Sequence, residues 1–308
     1  MSHWGYSSRN TSGDASGDRP DGVIVHRAGF WAAPSGLLYE QVWLAPHPAA
    51  VLIVVHGFGE HSSRYAVIAQ QFATQGVTVY AFDLPGHGRS PGARGQVCSI
   101  DQLAWDVICF GQQVAAREPD QPLFLLGHSL GGAITTRTVM LLHDCQLPAT
   151  AQLRHSLKGL ILSAALLGLR AESPFTHWLV PLLGRYSPNL PLVRLNSRWI
   201  SRDPAVVRAY ESDPLVYHSK MTAKTIAAIF TAISAIHTHW HLIQVPLLIL
   251  HGTADRLVPP DGSQWLYEQA GSANKQIQLY EGLYHELLNE PEKEAIEQRI
   301  LAWMWARL

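Results

Sequence analysis

LFLLGHSLGG at residues 123–132 contains the turn that decides the fold, because an apolar run of strand length leads directly into a serine between glycines, Ser129. The residues that follow, up to His143, have a helical pattern, so the serine lies between a strand and a helix. Glycine on either side leaves room for the backbones that crowd a tight turn, and the serine itself adopts a strained conformation. A nucleophilic serine of the Gly-x-Ser-x-Gly type requires this context, and the sequence therefore predicts Ser129 as a nucleophile.

A second match to the Gly-x-Ser-x-Gly pattern lies at residues 88–92, GRSPG, and contains Ser90. The residue after a nucleophilic serine has to donate its backbone N–H to the developing oxyanion, and Pro91 has no N–H. Leu130, which follows Ser129, has one. The second match also has no strand directly before it and no helical run directly after it. The sequence therefore favours Ser129 over Ser90, with the Leu130 N–H as one donor of an oxyanion hole.

From Gly22 onward, short apolar runs alternate with longer segments of helical period. This alternation is typical of an α/β fold, a mostly parallel sheet with helices on both faces. The predicted strands are residues 37–44, 51–55, 77–82, 123–126, 157–162, 245–250 and 276–280. The predicted helices are residues 64–75, 99–117, 131–143, 222–241 and 292–308. Ser99 and Gln102 form a capping-box pattern at the start of the second helix.

The acid and the base that would act with Ser129 are indicated by chain order. In α/β enzymes with this turn, the acid follows the serine and the histidine follows the acid, each in a loop after a strand. Asp255 follows the predicted strand 245–250, and His285 is the only one of sixteen histidines that comes after it. Taken singly, Asp255 suits a turn and His285 a packing or surface position, but their order favours a Ser–His–Asp triad. Asp261 is the competing acid, and we expect it to cap a helix instead.

The second oxyanion donor is expected in the loop after the predicted strand 51–55. That loop begins His56-Gly57-Phe58-Gly59, and the Phe58 N–H is predicted to act together with the Leu130 N–H.

Composition and charge exclude several classes of partner and cofactor. Lys and Arg number 23 against 24 Asp and Glu, for a net charge of −1, and no basic run indicates a nucleic-acid site. The three cysteines have neither disulfide-type nor zinc-type spacing, which favours a reducing, cytoplasmic location. They are Cys98, Cys109 and Cys145. His237 and His241 lie one helical turn apart, but a zinc site needs a third ligand, so we predict no metal. No flavin or nicotinamide motif follows a strand, and no cofactor is expected.

The chain divides into a tail, a core and an insertion. Residues 1–20 lack the basic start and the apolar stretch of a secretory signal, and their polar composition predicts a flexible tail. Residues 166–220 carry six prolines among apolar stretches and break the alternation, which predicts an inserted helical cap. Residues 21–165 and 221–308 form the predicted core. All apolar runs are well short of the ~20 residues that cross a bilayer.

Six blocks of sequence occur in an order and at a spacing that resemble a known family. They are HGFGEHSSRY at 56–65, FDLPGHGRS at 82–90, LFLLGHSLGGA at 123–133, SDPL at 212–215, HGTADRLV at 251–258 and YEGLYHE at 280–286. They resemble the monoacylglycerol lipases and lysophospholipases of the serine-hydrolase group, over nearly the whole chain after the tail. The resemblance implies an α/β-hydrolase fold with an eight-stranded sheet and a cap over an acyl tunnel. It implies the same site residues, namely Ser129, Asp255, His285, Phe58 and Leu130.

The resemblance also implies a function, the cleavage of monoacylglycerols or lysophospholipids through an acyl-serine intermediate. A general carboxylesterase for short or aromatic esters is the alternative, and a non-catalytic binding protein of the same fold is a further one. The apolar residues of the predicted cap suit transient contact with a membrane surface, although such residues also pack against the body of a protein. The sequence does not indicate an oligomeric state.

The polar end of the acyl tunnel, where the family holds the glycerol head group, maps to Glu60, Arg64 and Tyr210. Glu60 and Arg64 are four residues apart, so they equally suit an ion pair that stabilises the loop, worth under about 1 kcal/mol if exposed. The chain departs from the mammalian monoacylglycerol lipases three residues after His285, where Leu288 replaces a second histidine. The head-group preference is therefore left open.

Overall fold

A computed structural model describes residues 23–144, 148–168 and 174–308 of the chain. The predicted tail, residues 1–20, lies outside the described residues. The strands are β1 (Val25–Ala33), β2 (Gly36–Leu44), β3 (Ala50–Val55), β4 (Val77–Phe82), β5 (Leu123–His128), β6 (Leu157–Ser163), β7 (Pro191–Val193), β8 (Met221–Thr222), β9 (Leu247–Gly252) and β10 (Lys275–Tyr280).

Eight of these strands form one sheet, in the order β1-β2-β4-β3-β5-β6-β9-β10. β1 and β4 each pair antiparallel to β2, and all other neighbours in the sheet pair parallel. The prediction of a mostly parallel, eight-stranded sheet is therefore confirmed. Because β3, β5, β6, β9 and β10 run in the same direction, the loops at their carboxyl ends meet along one edge of the sheet.

The strand of the eight-stranded sheet that the sequence did not reveal is β1, at one edge of that sheet; the short strands β7 and β8 outside it were not predicted either. Only Trp31 of the nine residues of β1 is buried, and the strand contains Arg27 and Gly29. An edge strand with one buried side chain has little of the alternation that marks a half-buried strand, so its sequence pattern is weak. The seven predicted strands match β2 to β6, β9 and β10 to within about two residues at each end.

The helices are α1 (Ala66–Thr74), α2 (Ile100–Arg117), α3 (Leu130–Asp144), α4 (Ala151–Ser156), α5 (Pro174–Tyr186), α6 (Pro204–Ser212), α7 (Ala223–Thr238), α8 (Asp261–Gln269) and α9 (Lys293–Trp305). Ser99 accepts a hydrogen bond from the Gln102 N–H at the start of α2, as its pattern predicts. The prediction that Asp261 is an N-cap is wrong by one position. Pro260 occupies the N-cap of α8 with an already helical φ of −66°, which leaves Asp261 as the first helical residue.

Helices cover both faces of the sheet, and the central strands supply side chains to both. Ile53 of β3 belongs to an apolar cluster that includes residues of α2, α3 and α7. Its neighbour Leu52 belongs to a second cluster that includes residues of α1 and α9. Alternate residues of β3 thus anchor opposite layers, which explains why all six are apolar and buried.

Between β6 and α7 the chain forms α5, α6 and the two-stranded ribbon of β7 and β8. This stretch contains the segment predicted as a cap, and the cap's limits at residues 166 and 220 stay a prediction. The Leu190 carbonyl oxygen accepts the Ala223 N–H at 2.9 Å, which ties the segment between α5 and β7 to the start of α7. Across the described ranges, no helix is long and apolar enough to span a bilayer.

Candidate active site

Ser129 lies between β5 and α3 with a φ of 52°, in the left-handed region that side chains other than glycine rarely occupy. Its N–H donates to the Ser163 carbonyl oxygen at 3.0 Å, and its own carbonyl oxygen accepts the Leu166 N–H at 2.9 Å. Both contacts come from the end of β6, the strand beside β5. The strained turn predicted from the sequence is therefore present, and it is fixed from both sides of the serine peptide.

The two glycines that flank Ser129 are required by close backbone contacts. A Cβ on Gly127 would lie 2.2 Å from the Thr135 hydroxyl oxygen, and a Cβ on Gly131 would lie 2.0 Å from the Val55 carbonyl oxygen. Both distances are far inside van der Waals contact. The Gly-x-Ser-x-Gly spacing thus lets α3 pack directly against the ends of β3 and β5.

Asp255 and His285 form a short, buried hydrogen bond. Asp255 lies three residues beyond β9, and its Oδ2 is 2.6 Å from His285 Nδ1. Its Oδ1 accepts the N–H groups of Leu257 and Val258 at 2.8 and 3.0 Å, so the carboxylate is held from its own loop. Both side chains are almost entirely removed from solvent. The structure therefore brings together the two residues that chain order selects.

The pKa values of this pair move in opposite directions. Burial lowers the pKa of His285, but the Asp255 carboxylate outweighs burial and raises it above its ordinary value. Burial raises the pKa of Asp255, but the charge of His285 and the hydrogen bonds from His251 and His285 hold it well below its usual range. Each partner stabilises the charged form of the other, as a base that has to carry a proton during a reaction requires.

His251 is a member of this site that the sequence analysis missed. Its Nε2 lies 3.2 Å from Asp255 Oδ2, and its Nδ1 lies 2.7 Å from the Ser263 hydroxyl oxygen. The residue is fully buried at the end of β9. A histidine four residues before the acid, at a strand end, was the available signal.

The Ser129 turn and the His285 loop meet through His128, the residue before the serine. The ring centroids of His128 and His285 are 4.8 Å apart. His128 Nδ1 lies 3.1 Å from the Ser163 carbonyl oxygen, which fixes the ring beside β6. Burial, together with the neighbouring His285, lowers the pKa of His128 to about 4, so its imidazole is neutral at neutral pH.

Residues 56–61, here called the oxyanion loop, approach Ser129 from the end of β3. A Cβ on Gly57 would lie 3.1 Å from Ser129 Cβ, which shows how close the two segments are. His56 Nε2 accepts the Leu84 N–H at 2.9 Å, so its proton is on Nδ1, which donates to the Gly57 carbonyl oxygen at 2.8 Å. Because a peptide is planar and trans, fixing the Gly57 oxygen also fixes the direction of the Phe58 N–H. Leu130, the other predicted donor, is the first residue of α3.

Ser90, in the rejected match, has a hydroxyl that is hydrogen-bonded to the backbone on both its donor and its acceptor side. Its hydroxyl donates to the Asp83 carbonyl oxygen at 2.5 Å and accepts the Tyr39 N–H at 2.9 Å. The side chain is buried, and Pro91 follows it without an N–H. The hydroxyl of Ser90 thus joins the start of the loop after β4 to its own segment and holds β2 to that loop.

Glu60 and Arg64 form the ion pair that their spacing suggests, but the pair is buried rather than exposed. Arg64 Nη1 lies 2.8 Å from Glu60, and the two guanidinium nitrogens lie 2.6 and 2.7 Å from the carboxylate of Glu286. Glu60 also accepts the Gly57 N–H and the Tyr65 hydroxyl, at 2.7 and 2.9 Å. Burial raises the pKa of Glu60, but Arg64, the nearby His128 and His56, and the hydrogen bond from the Gly57 N–H together outweigh burial, and the pKa falls to about 2. Glu286 was not anticipated, because it is 222 residues from Arg64.

Tyr210, the third residue predicted for the head group, lies over Arg64 with the guanidinium carbon 4.9 Å from the ring centroid. It also lines a cavity of about 440 Å³ with Phe58, Tyr217 and His218. The cavity therefore opens beside the residue predicted to donate to the oxyanion. Leu288, at the position where the mammalian lipases have a histidine, is buried.

His237, which suggested a metal site from its spacing to His241, has other contacts. Its Nε2 lies 2.8 Å from the Leu167 carbonyl oxygen, and its ring stacks on Trp240 at 4.7 Å between centroids. These contacts join α7 to the segment after β6.

A family model described as serine aminopeptidase, S33, matches residues 46–292. The chain belongs to this family. The monoacylglycerol lipase of Mycolicibacterium smegmatis is similar to this chain, with 32% identity over 262 residues, which cover 85% of this chain and 90% of that protein. The monoglyceride lipase of Rattus norvegicus is 33% identical over 265 residues, covering 85% and 84%. The crystal structure of a Paleococcus ferrophilus monoacylglycerol lipase matches with a TM-score of 0.76 at 32% identity, over 88% of this chain and 99% of that chain.

These matches confirm the resemblance to the monoacylglycerol lipases and the α/β-hydrolase fold that it implied. The family model carries the name of a peptidase, whereas the three similar proteins are named as lipases.

The Asp255–His285 contact predicts the effect of one substitution on a titration curve. In Asp255→Asn, the negative charge that favours the imidazolium is lost, so the pKa of His285 falls and the ring is neutral down to a lower pH. NMR titration of the imidazole protons measures the change. His87, whose pKa of about 3 results mainly from burial, serves as a reference within the same protein and keeps its value. An unchanged pKa of His285 would show that Asp255 does not set its charge.

Proposed function

We propose that this protein is a serine ester hydrolase that cleaves monoacylglycerols, or related single-chain lipids such as lysophospholipids, through an acyl-serine intermediate. The observation that carries the proposal is the Asp255–His285 hydrogen bond of 2.6 Å beside the strained turn of Ser129. Two lipases are each about one-third identical to this chain over most of its length, which supports the same activity.

In the proposed first half-reaction, Ser129 Oγ attacks the carbonyl carbon of the ester while His285 Nε2 takes the hydroxyl proton. Asp255 holds the imidazolium through Nδ1. The tetrahedral intermediate carries a negative oxygen, which accepts hydrogen bonds from the N–H groups of Phe58 and Leu130. Each such donor is worth about 3 kcal/mol of transition-state stabilisation. His285 then gives its proton to the leaving alcohol oxygen as the carbon–oxygen bond breaks, and the acyl group remains on Ser129.

The second half-reaction repeats the first with water. His285 takes a proton from a water molecule, whose oxygen attacks the acyl carbon, and the same two N–H groups stabilise the second oxyanion. The proton returns to Ser129 Oγ as the fatty acid leaves. In each half-reaction the base takes up one proton and gives it back. This suits a histidine whose charged form is stabilised by a buried carboxylate.

For the head group, we propose that Tyr210 contacts the substrate and that Glu60 and Arg64 act through the loop. Tyr210 lines the cavity beside Phe58. The Glu60 carboxylate is engaged by the Gly57 N–H, the Tyr65 hydroxyl and Arg64, and the guanidinium of Arg64 by two carboxylates. Charged groups whose hydrogen-bonding positions are already occupied orient the oxyanion loop more readily than they bind a glycerol hydroxyl.

A carboxylesterase for short or aromatic esters is the second candidate. Leu288 favours it, because the polar side chain that the mammalian lipases have at this position is replaced by an apolar one. The same triad and oxyanion donors would serve both functions, so the choice of alcohol and acyl group distinguishes them.

Labelling with a fluorophosphonate tests the nucleophile. We expect Ser129→Ala to abolish labelling, because the reagent forms its covalent bond only with an activated serine. Ser90→Ala is the matched control, since it removes the other serine in a Gly-x-Ser-x-Gly pattern, and it keeps the label. Circular dichroism of both variants checks that they are folded. Label that survives in Ser129→Ala would assign the nucleophile elsewhere.

A panel of substrates tests the substrate class. We expect the purified protein to release fatty acid fastest from a long-chain monoacylglycerol, more slowly from the matching lysophospholipid, and to leave an aminoacyl aryl amide intact. In Tyr210→Phe, KM for the monoacylglycerol rises about threefold to tenfold, as for the loss of one hydrogen bond, while KM for a short aryl ester does not change. Ser129→Ala provides the blank. Turnover of the short ester alone would favour the second candidate.

We also propose that this protein is cytoplasmic and that it contacts membrane surfaces through the predicted cap. Leu182, Tyr186, Leu190 and Val193 are between 37% and 72% exposed and lie within twelve residues of each other in the chain. An exposed apolar surface of this kind favours the interface of a bilayer, where single-chain lipids are dissolved.

Sedimentation with phosphatidylcholine vesicles tests this contact. The double variant Leu190→Asp, Val193→Asp is expected to lose at least half of its vesicle-bound fraction and to keep its activity on a soluble aryl ester. Val67→Asp, which changes an apolar residue of α1 that is 60% exposed, is the control and binds as the wild type does. Equal binding by all three proteins would refute a role for the predicted cap.

A further inference from the structure

The oxyanion loop is held by contacts from a segment far away in sequence, residues 210–218, which belongs to the predicted cap. The Tyr217 N–H donates to the Gly59 carbonyl oxygen at 2.7 Å. The side chains of His61 and Asp213 meet at 2.9 Å between Nε2 and Oδ2. The Phe58 and Tyr217 rings are in edge contact, with centroids 5.9 Å apart. The loop that carries the proposed Phe58 donor is therefore attached to the predicted cap at three points.

Two glycines allow this close approach. Gly59 has a φ of 79°, and a Cβ there would lie 3.2 Å from the Tyr217 carbonyl oxygen. A Cβ on Gly95 would lie 2.3 Å from the Tyr217 ring, so this ring lies directly against the backbone of the loop after β4. Tyr217 is thus fixed in place by one glycine and hydrogen-bonded to the other.

The imidazole of His61 has a single hydrogen-bonding partner, Asp213, in the described part of the chain. Its side chain is 3% exposed, and no partner lies within hydrogen-bonding distance of Nδ1 among the described residues. The proton on Nε2 is therefore directed at Asp213. Asp213 uses its other oxygen to accept the Leu215 N–H at 2.8 Å. Although burial opposes ionisation, the Leu215 N–H and His61 hold the pKa of Asp213 below its usual range. The carboxylate thus joins the turn at residues 213–215 to the oxyanion loop.

The segment is anchored on its other side as well. Arg94 donates to the Leu215 carbonyl oxygen at 2.6 Å and to the Gly88 carbonyl oxygen at 2.9 Å. Residues 213–217 therefore lie between the loop after β4 and the oxyanion loop. A displacement of this segment would pull on Gly59 and His61, the residues on either side of Glu60. Gly59 also follows Phe58 directly in the chain.

We propose that His61, Asp213 and Tyr217 are positioning residues, which hold the Phe58 N–H in place for the oxyanion and so couple the location of the predicted cap to catalysis. The inference rests on the proposed function, in which Phe58 is a donor. Tyr217 lines the cavity beside Phe58, whereas His61 and Asp213 do not. The effect of His61 and Asp213 is therefore expected in the step in which negative charge develops, because only then does the Phe58 N–H act.

The variants His61→Ala and Asp213→Ser test the proposal. A serine at 213 keeps an oxygen for the Leu215 N–H but is too short to reach His61. We expect kcat for a p-nitrophenyl ester to fall about 10- to 100-fold in each, as for a small misplacement of a catalytic group, with KM changed less than threefold. The double variant is expected to be no slower than either single one, since both remove the same contact. His61→Gln, whose amide nitrogen can replace Nε2, restores most of kcat.

Inhibitors separate positioning from general damage. A trifluoromethyl ketone forms a hemiketal oxyanion with Ser129, so its affinity falls by the same factor as kcat/KM. The affinity for a non-hydrolysable ether analogue of the same chain length does not change. Asp101→Asn is the control, because it breaks an ion pair of similar length, with Arg137 at 2.8 Å, between α2 and α3. It leaves both affinities and kcat at the wild-type values.

Amide hydrogen exchange at residues 57–61 needs no turnover and keeps this test independent of the substrate. We expect faster exchange there in His61→Ala and Asp213→Ser than in Asp101→Asn. If the protein cleaves the aryl ester but no lipid, the proposed function is refuted. The positioning role is then still decided by kcat for the aryl ester and by the exchange rates. Unchanged kcat and exchange in both variants, or parallel losses for the ketone and the ether, would overturn it.

Discussion

The backbone of α3 approaches the end of β3 so closely that a single methyl group on Gly131 would lie 2.0 Å from the Val55 carbonyl oxygen. This contact places the first turn of α3, which begins at Leu130, against the end of β3, from which the oxyanion loop begins. It also forces the chain to reverse within one residue, which is why Ser129 adopts a φ of 52°. The strain is opposed by hydrogen bonds from the end of β6 on both sides of the serine.

The buried charges around the site follow a second constraint, which is that each must be matched by an opposite charge or by donors. Arg64 lies between Glu60 and Glu286, and through them it joins the oxyanion loop to the loop that carries His285. Removing one partner from such a cluster costs more than removing an exposed one, because an uncompensated charge stays buried. The cluster therefore fixes the two loops relative to each other. This structural task is the reason for the proposal that Glu60 and Arg64 act through the loop and do not bind the head group directly.

The parts of this architecture that could be predicted are those that depend on residues close together in the chain or on the order of motifs along it. Strands such as β3 and β5 are buried on both faces and therefore appear as continuous apolar runs. Ser129 is marked by the residues that its tight turn demands, and Asp255 and His285 by their order along the chain. Glu286 and Asp213 had no such mark, because their partners lie 222 and 152 residues away. β1 was missed because an edge strand with one buried residue obeys no strict period.

The position of β5 in the sheet has a consequence for the entropy of the reaction. The strand has hydrogen-bonded neighbours on both sides, β3 and β6, and the turn that carries Ser129 continues directly from it. Segments attached to a fully paired central strand are among the last to open in a native protein. In the proposed reaction, the entropic cost of ordering the serine thus falls on the folding of the chain and is not repeated with each substrate molecule, which leaves more of the binding free energy of the ester to lower the barrier.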